Sequence, residues 1–188
     1  VPPPVVVGNA TLDGSLSEWS AADRIDASLG VAGYEIYGRV TGDNYVVALK
    51  SATAIGANTT AWLNTDRDAA TGFQIFGFAG GAEYNVNFDS LGNAVLYSGN
   101  AGQTVVVNGD VVERFSTDKM IVEFAIPKAL LGFTGAPGAI NTLFDVNDSV
   151  FLPTSYSATQ FTIAPAAAPV VGTVTLDGAL TDWTAANR

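Results

Sequence analysis

Apolar and polar residues alternate with a period of two in three long segments of the chain, residues 44–50, 83–89 and 118–126. In the second segment, EYNVNFD, aromatic and aliphatic residues fall on one side and Glu, Asn and Asp residues on the other. This alternation is typical of a β-strand with one buried face. Less regular patterns predict further strands at residues 34–40, 59–64, 73–78, 93–98, 104–107, 110–116, 140–146 and 159–163.

Turn-forming residues separate these segments, as at Asp13-Gly14, Gly80-Gly81 and Asn108-Gly109. Helical patterns are restricted to a turn or two within residues 15–22 and a single piece at residues 127–131, which starts with proline and is followed by glycine. Many short strands at regular spacing favour an antiparallel arrangement. The sequence therefore predicts an all-β fold, a two-sheet antiparallel β-sandwich of the jelly-roll kind with one or two short helical turns.

One segment occurs twice. Residues 6–24 (VVGNATLDGSLSEWSAADR) recur as residues 170–188 (VVGTVTLDGALTDWTAANR), with twelve of nineteen positions identical and Leu12 matching Leu176 at an offset of 164 residues. A period of this length is too long for a solenoid repeat, so it predicts a tandem array of whole domains. The alternative is a duplicated edge element within one domain.

This recurrence sets the predicted boundaries. Residues 1–8 form a Pro/Val-rich linker or an exchanged strand, residues 9–164 the β-sandwich repeat unit, and residues 165–188 a linker and the start of the next repeat. Prolines stiffen both linkers, and the valines that follow them are strand formers. A valine strand can extend a sheet edge of a neighbouring copy, so the expected partners are copies of the same chain.

Composition narrows the function classes. Eighteen acidic against eight basic residues give a net charge of −10, which argues against a nucleic-acid partner. Without His or Cys, the chain has no Ser-His-Asp triad, no Cys-His pair, no Cys/His zinc site and no disulfide. Apolar runs are too short for a membrane span. Because the sequence does not begin with Met and shows no signal peptide, we expect a mature product or a fragment. Because the usual catalytic residues are missing, we also expect that the protein is not an enzyme.

An oxygen-rich loop follows the predicted strand 59–64. Asn64, Asp66 and Asp68 are spaced two apart, and a carbonyl near Ala70 and the carboxylate of Glu83 can add to them. Calcium takes six to eight oxygen ligands, several of them carboxylates, so the pattern predicts a calcium site. The alternative is a turn in which the Asp and Asn side chains bond to the local backbone.

Four motifs occur in an order that resembles a known family. TLDGSLSEW, AWLNTDRDAATGF, GGAEYNV and VEFAIPKALLG, which span most of residues 9–163, are similar to the pattern of family 9-like carbohydrate-binding modules and the related DOMON-like sandwiches. The resemblance implies an extracellular two-sheet sandwich with a structural calcium ion at the acidic loop. It assigns Asn64, Asp66, Asp68 and Glu83 to that ion, which would pin the loop to the sheet rather than take part in catalysis.

The remaining candidates have structural interpretations. Trp19 and Trp62 are expected to pack internally. Glu113 and Glu123, a conceivable glycosidase pair, are expected on solvated strand faces. The stretch from Asp145 to Asp148 favours a turn over a second cation site. Six aromatic residues are candidates for a sugar-binding platform, although their spacing in strands is equally consistent with burial in the core. They are Tyr34, Tyr37, Phe73, Phe76, Phe78 and Tyr97.

We therefore expect a non-catalytic, calcium-stabilised extracellular repeat that builds a fibre, sheath or layer at the cell surface, as a structural or adhesive element. The alternative is a carbohydrate-binding module of a secreted enzyme or adhesin, with a glycan as partner. A third possibility is a heme or sugar sensor, but without His only Met120 remains as a soft heme ligand.

Overall fold

A computed structural model describes residues 2–77, 80–89, 91–98, 104–108, 111–154 and 160–167. The second copy of the repeated segment, residues 170–188, lies outside this part of the chain, as does the linker from residue 168 onward. The described strands are β1 (Val5–Val7), β2 (Ala10–Leu12), β3 (Glu35–Thr41), β4 (Asn44–Lys50), β5 (Thr60–Asn64), β6 (Tyr84–Phe88), β7 (Ala94–Ser98), β8 (Thr104–Asn108), β9 (Val112–Phe115), β10 (Ile121–Pro127), β11 (Ile140–Val146), β12 (Val150–Leu152) and β13 (Phe161–Ile163).

These strands form a small sheet, a large sheet and a separate hairpin. The small sheet has the order β3-β4-β10-β9, and the large sheet has the order β12-β11-β5-β6-β7-β8 with β13 also paired to β11. β1 and β2 make the hairpin, and the pairings between described strands are antiparallel. The predicted all-β antiparallel sandwich is confirmed. Short 3₁₀ helices at Ala21–Asp23, Ile75–Gly77 and Lys128–Leu131 complete the described secondary structure.

The core lies between the inner faces of the two sheets. In the small sheet, the apolar positions of β4 and β10 face each other across the strand pair, with Val47 opposite Phe124. Their alternation is the one that the sequence predicts. The large sheet contributes the matching positions of β6, β7 and β11. The buried core includes Tyr45, Val47, Leu49, Val86, Phe88, Leu96, Val122, Phe124, Ile126 and Phe144.

The predicted strand at residues 73–78 does not form in its described part. Phe73 and Ala82 exchange both backbone hydrogen bonds, at 2.7 and 3.0 Å, so the chain folds back on itself between them. The 3₁₀ helix at Ile75–Gly77 occupies this turn, with Phe76 in the left-handed region at φ 49°. Ile75 is buried beside Ala82 and Leu143 of β11. The apolar residues of this segment therefore cover the outer face of the large sheet.

The opening segment forms a third layer on the small sheet. β1 pairs with β2 of the same chain, with Val5 opposite Leu12. The buried side chains of the segment pack on the outer face of β4 and β10, in a cluster separate from the main core. That cluster consists of Ala10, Leu12, Trp19, Val46, Ala48 and Ala125. Residues 5–7 therefore have a strand partner, which in this structure is the next strand of their own chain.

Glu123 anchors this layer. Its side chain is 0% exposed, and it accepts hydrogen bonds from the backbone N–H groups of Asp13 at 2.8 Å and Gly14 at 2.7 Å. Its other carboxylate oxygen accepts the indole N–H of Trp19 at 2.7 Å. Burial raises the pKa of Glu123, and these three donors oppose the rise. The expectation of a solvated strand face is therefore wrong for Glu123, because the opening segment covers the outer face of β10.

Two further features fit the segment to this face. Gly14 has φ 79°, and a Cβ there would lie 2.5 Å from the backbone of Phe115, so the turn requires glycine. The guanidinium of Arg39 lies 4.6 Å from the centroid of the Trp19 ring and pairs with Glu18 at 2.7 Å. Trp19 is therefore the packed residue that the sequence predicts, and the TLDGSLSEW motif is a docking element.

Replacing Glu123 by Gln tests this anchor. An amide offers one acceptor oxygen and places N–H groups against the remaining donors, so we expect Glu123→Gln to lower the free energy of unfolding by about 2–4 kcal/mol. Urea denaturation measures the change. Glu113→Gln, on the neighbouring strand β9, is the control; Glu113 is only partly buried, so its substitution should cost about 1 kcal/mol or less. Equal effects of the two substitutions would contradict the anchoring role.

Candidate functional site

The acidic loop lies where β5 and β6 meet at one end of the large sheet. β5 ends at Asn64 and β6 begins at Tyr84, and Leu63 pairs with Tyr84 in the antiparallel register. This register places Glu83 beside Thr65, whose backbone N–H donates to Glu83 Oε2 at 2.8 Å. The loop and the carboxylate predicted to close the site are therefore neighbours, although 18 residues separate Thr65 from Glu83.

Oxygen atoms crowd around the hydroxyl group of Thr71. Its Oγ1 lies 2.8 Å from Asp66 Oδ2, 2.9 Å from the carbonyl oxygen of Asp68 and 3.3 Å from Glu83 Oε1. A threonine hydroxyl has one proton to donate, so it can satisfy one of these three acceptors at a time. The structure therefore brings Asp66, Asp68 and Glu83 together, with Asp68 contributing its backbone carbonyl.

The same loop contains the local turn bonds of the alternative interpretation. Asp66 Oδ1 accepts the backbone N–H of Asp68 at 2.8 Å, and Asp68 Oδ1 accepts that of Ala70 at 2.9 Å. Arg67, between the two aspartates, is in the left-handed region at φ 63°. These bonds fix the curvature of the loop. They leave Asp66 Oδ2 directed at Thr71, so the turn and the oxygen cluster coexist.

Two glycines let the loop approach the segment before β6. Gly72 has φ 57°, and a Cβ there would lie 2.5 Å from Glu83 Oε1 and 2.7 Å from the backbone of Ala82. Gly81 has φ 61°, and its Cβ would lie 2.7 Å from the Cα of Ala69. Side chains at either position would push the loop away from Glu83. The Thr-Gly dipeptide at residues 71–72 is the feature of the sequence that indicates this close approach.

Asn64 has different partners. It is buried at the end of β5, and its amide nitrogen lies 3.3 Å from the carbonyl oxygen of Gly80 and 3.3 Å from Gln160 Oε1. Its carboxamide oxygen is buried without a hydrogen-bond partner. The structure thus uses Asn64 to tie β5 to the segments before β6 and β13. Thr65 and Thr71, which the sequence analysis did not select, take part in the oxygen cluster instead.

The oxygen cluster opens into a shallow cavity of about 400 Å³. Its wall is formed by the loop, the start of β6, the end of β7 and the 3₁₀ helix at residues 128–131. Among the described residues, no group of three or more His, Cys, Asp and Glu side chains lies close enough to hold a metal ion. The cluster instead has two carboxylates, one carbonyl and one hydroxyl. The cavity is lined by Thr65, Asp66, Thr71, Gly72, Ala82, Glu83, Tyr84, Ser98 and Leu131.

Aromatic side chains gather on the outer face of the large sheet. Trp62 stacks on Phe73 with ring centroids 5.2 Å apart, and Phe76 lies edge-on to Trp62 at 6.3 Å and to Phe151 at 5.9 Å. Phe76 is 57% exposed. Trp62 therefore packs under the segment 73–77 rather than in the main core. Of the other aromatic candidates, Tyr34 is buried, Tyr37 packs on Trp19, Tyr97 is half-buried and Phe78 lies outside the described residues.

The stretch from Asp145 to Asp148 forms the turn that the sequence favours. Asn147 and Asp148 both have positive φ, at 56° and 52°, and with Ser149 they form the three-residue hairpin loop that joins β11 to β12. Asp145 on β11 is 1% exposed, and its Oδ1 has no hydrogen-bond partner. Burial, together with the negative charge of Asp148, raises the pKa of Asp145 to about 7.

Comparison of the chain with models of known protein families, with curated proteins and with solved structures finds no match. Within the described residues, no helix has the length and apolar character needed to cross a bilayer.

Gly72 and Gly42 form a matched pair that tests the close approach of the loop. Both have φ 57°, but a Cβ at Gly42 would meet nothing within 4 Å. We expect Gly42→Ala to cost about 1 kcal/mol of unfolding free energy for the left-handed backbone alone. Gly72→Ala should cost about 1–3 kcal/mol more, because the methyl group overlaps Glu83. Equal costs in urea denaturation would show that the loop is not tightly packed.

The raised pKa of Asp145 predicts a pH dependence. The folded state binds this proton more tightly than the unfolded state, so stability is lost as pH rises from about 4 to 7. Asp145→Asn removes that loss, and we expect it to stabilise the protein by roughly 2–4 kcal/mol at pH 8 and by little at pH 4. Thermal denaturation at both pH values measures the difference. A gain that is independent of pH would contradict the assignment.

Proposed function

We propose that this protein is a non-catalytic, calcium-stabilised β-sandwich repeat that works outside the cell, where copies associate into a structural or adhesive fibre, sheath or layer. The observation that carries the proposal is the repeated segment. Its first copy is a docking element whose main contacts are made by Leu12, Gly14 and Trp19, and the second copy keeps all three as Leu176, Gly178 and Trp183. A chain that carries such an element twice is suited to repetition.

The linkers and the surface support association. Prolines precede both copies of the segment, at residues 2–4 and 165–169, and proline-rich sequences favour a semi-rigid, extended chain. Charged residues make up only 14% of the sequence. A surface covered by Ser, Thr, Asn and Gly carries few charges that would have to be desolvated when copies pack together.

The crowding at Thr71 supports calcium. Three acceptor oxygens surround one hydroxyl proton, so at least two of them face another oxygen without a proton between them. A divalent cation relieves this repulsion, and calcium accepts carboxylate, carbonyl and hydroxyl oxygens together. Asp66, Glu83, Thr71 and the carbonyl of Asp68 would hold the ion, with water completing its coordination. The ion would fasten the loop to the large sheet.

The positions of Glu113 and Glu123 also agree with a structural role for this protein. Both carboxylate oxygens of Glu123 are occupied by donors from the opening segment, which leaves neither oxygen for a substrate. Glu113 lies on the neighbouring strand β9, directly opposite Phe124 rather than Glu123. This arrangement favours a scaffold over a glycosidase.

The alternative is a carbohydrate-binding module, and the aromatic cluster at Phe76 favours it. Exposed aromatic rings stack on sugar faces, and Phe76, on the 3₁₀ helix that covers the large sheet, lies exposed beside Trp62. Affinity electrophoresis with soluble polysaccharides tests this function. Retardation that Phe76→Ala abolishes, and that Leu91→Ala at another exposed apolar position preserves, would favour the module.

Calcium binding is tested by thermal stability. We expect millimolar Ca²⁺ to raise the melting temperature of the wild-type chain by several degrees and EDTA to reverse the change, because an ion that binds the folded state stabilises it. Asp66→Asn and Glu83→Gln should abolish the response. Asp118→Asn is the control, since Asp118 accepts its hydrogen bonds from Ser116 and from the backbone N–H of Met120 in the turn between β9 and β10 of the small sheet. A melting temperature that is the same in calcium and EDTA would exclude the ion.

A further inference from the structure

The outer face of the small sheet is a groove built to receive the opening segment. We define this docking groove by Val46, Ala48, Glu123 and Ala125 on its floor, with Arg39 and Thr41 at its rim. Its floor is apolar apart from Glu123. Without a covering segment, these apolar side chains and the carboxylate would face solvent on strands whose other face is already the main core. The groove therefore needs an occupant.

The groove recognises particular groups of the segment. Glu123 accepts two consecutive backbone N–H groups at an Asp-Gly turn and the indole N–H that follows five residues later. Arg39 at the rim pairs with the acidic residue before the tryptophan, at 2.7 Å. Thr41 lies beside Gly8, where a Cβ would meet its backbone at 3.1 Å, and its hydroxyl oxygen accepts the N–H of Asn9 at 2.9 Å.

Residues 170–188 carry nearly every one of these groups. Asp177 and Gly178 supply the turn, Trp183 the indole and Asp182 the acid, and Gly172 replaces Gly8. Three positions differ at the groove. Asp182 is one methylene shorter than Glu18, Thr173 takes the place of Asn9, and Val174 takes the place of Ala10, which is completely buried. The larger Val174 has to be accommodated against the floor, which weakens the fit without removing any of the polar contacts.

We propose that residues 170–188 of one copy of this chain can occupy the docking groove of a second copy in place of its residues 6–24, which links copies head to tail. This inference deepens the proposed self-association by naming the two surfaces that meet. Such a contact joins different surfaces of the two partners, so it propagates into open chains rather than stopping at a dimer. No covalent step is involved, because the segments simply exchange places.

Competition sets the conditions for exchange. The chain's own opening segment is tethered beside the groove, which gives it a high effective concentration, and Ala10 fits better than Val174. Exchange is therefore expected at high protein concentration, and a weakened opening segment should promote it. Trp19→Phe weakens that segment while keeping an aromatic ring in place, since it removes the indole N–H that donates to Glu123.

Disulfide trapping tests the exchange, because the chain has no cysteine of its own. One chain of residues 1–188 carries Trp19→Phe and Thr41→Cys, and a second, distinguished by a mass tag, carries Thr173→Cys. Thr41 contacts Asn9, the counterpart of Thr173, so an exchanged segment brings the two cysteines within bonding reach. We expect a covalent heterodimer after mixing and mild oxidation, at least ten times more abundant than with Leu91→Cys in place of Thr41→Cys.

Three further variants test whether the heterodimer depends on the exchanged segment. Adding Trp183→Ala to the second chain should reduce the heterodimer at least tenfold, because Trp183 would supply the indole. Asn9→Cys and Thr41→Cys, placed together in one otherwise wild-type chain, should form an intrachain disulfide, which shows that cysteines at these two positions can bond. Should Trp19→Phe fail to fold, Glu18→Gln gives a milder weakening through Arg39.

The result that overturns the inference is a heterodimer no more abundant than with Leu91→Cys while the control pair closes efficiently. If wild-type copies still associate in light scattering, and Trp183→Ala does not reduce that association, the proposed function survives and this exchange is wrong. If wild-type copies stay monomeric at every concentration and no heterodimer forms, both fail. The two proposals are therefore separable.

Discussion

The architecture of this protein depends on one buried carboxylate. Glu123 lies on the outer face of a sheet strand, where alternation would place it in water, and it is instead covered by the opening segment of the chain. Taking a carboxylate out of water is costly unless hydrogen bonds compensate for the lost hydration. Two turn amides and one indole provide that compensation, so the carboxylate and the segment stabilise each other and neither is stable there alone.

This interdependence explains why the segment has the sequence it has. Gly14 is required by a positive φ and by the nearby backbone of Phe115, and Trp19 supplies both an indole donor and a ring under Arg39. The acidic loop follows a similar logic on a smaller scale. Backbone N–H groups and Gly72 allow the loop to approach Glu83 closely, and three acceptor oxygens surround the single hydroxyl proton of Thr71.

The sequence predicts the fold well where alternation is regular. β4 and β11 have the predicted bounds, and β10 buries the predicted face, because large apolar residues that face the main core recur at every second position of these strands. The strand predicted at residues 73–78 is wrong, because the apolar residues of this segment cover the outer face of a sheet instead of forming one of its strands. Three-residue strands such as β2 and β12 are too short to show a period.

The candidate site is predicted only in part, for a reason that periodicity cannot capture. Asp66, Asp68 and Glu83 converge because β5 and β6 are neighbours, but Asn64 faces Gly80, and Thr71 enters only through the curvature of the loop. Glu123 is missed for the same reason. Alternation identifies the outer face of β10, and it cannot reveal that a segment more than a hundred residues away covers that face.

Hydrogen exchange followed by mass spectrometry tests the central role of Glu123 most directly, since it reports the opening of each segment separately. In Glu123→Gln, we expect peptides from residues 5–24 to lose most of their protection and peptides from β4, β6 and β11 to keep wild-type protection. Unchanged protection in residues 5–24, or an equal loss in all of these peptides, would contradict that expectation.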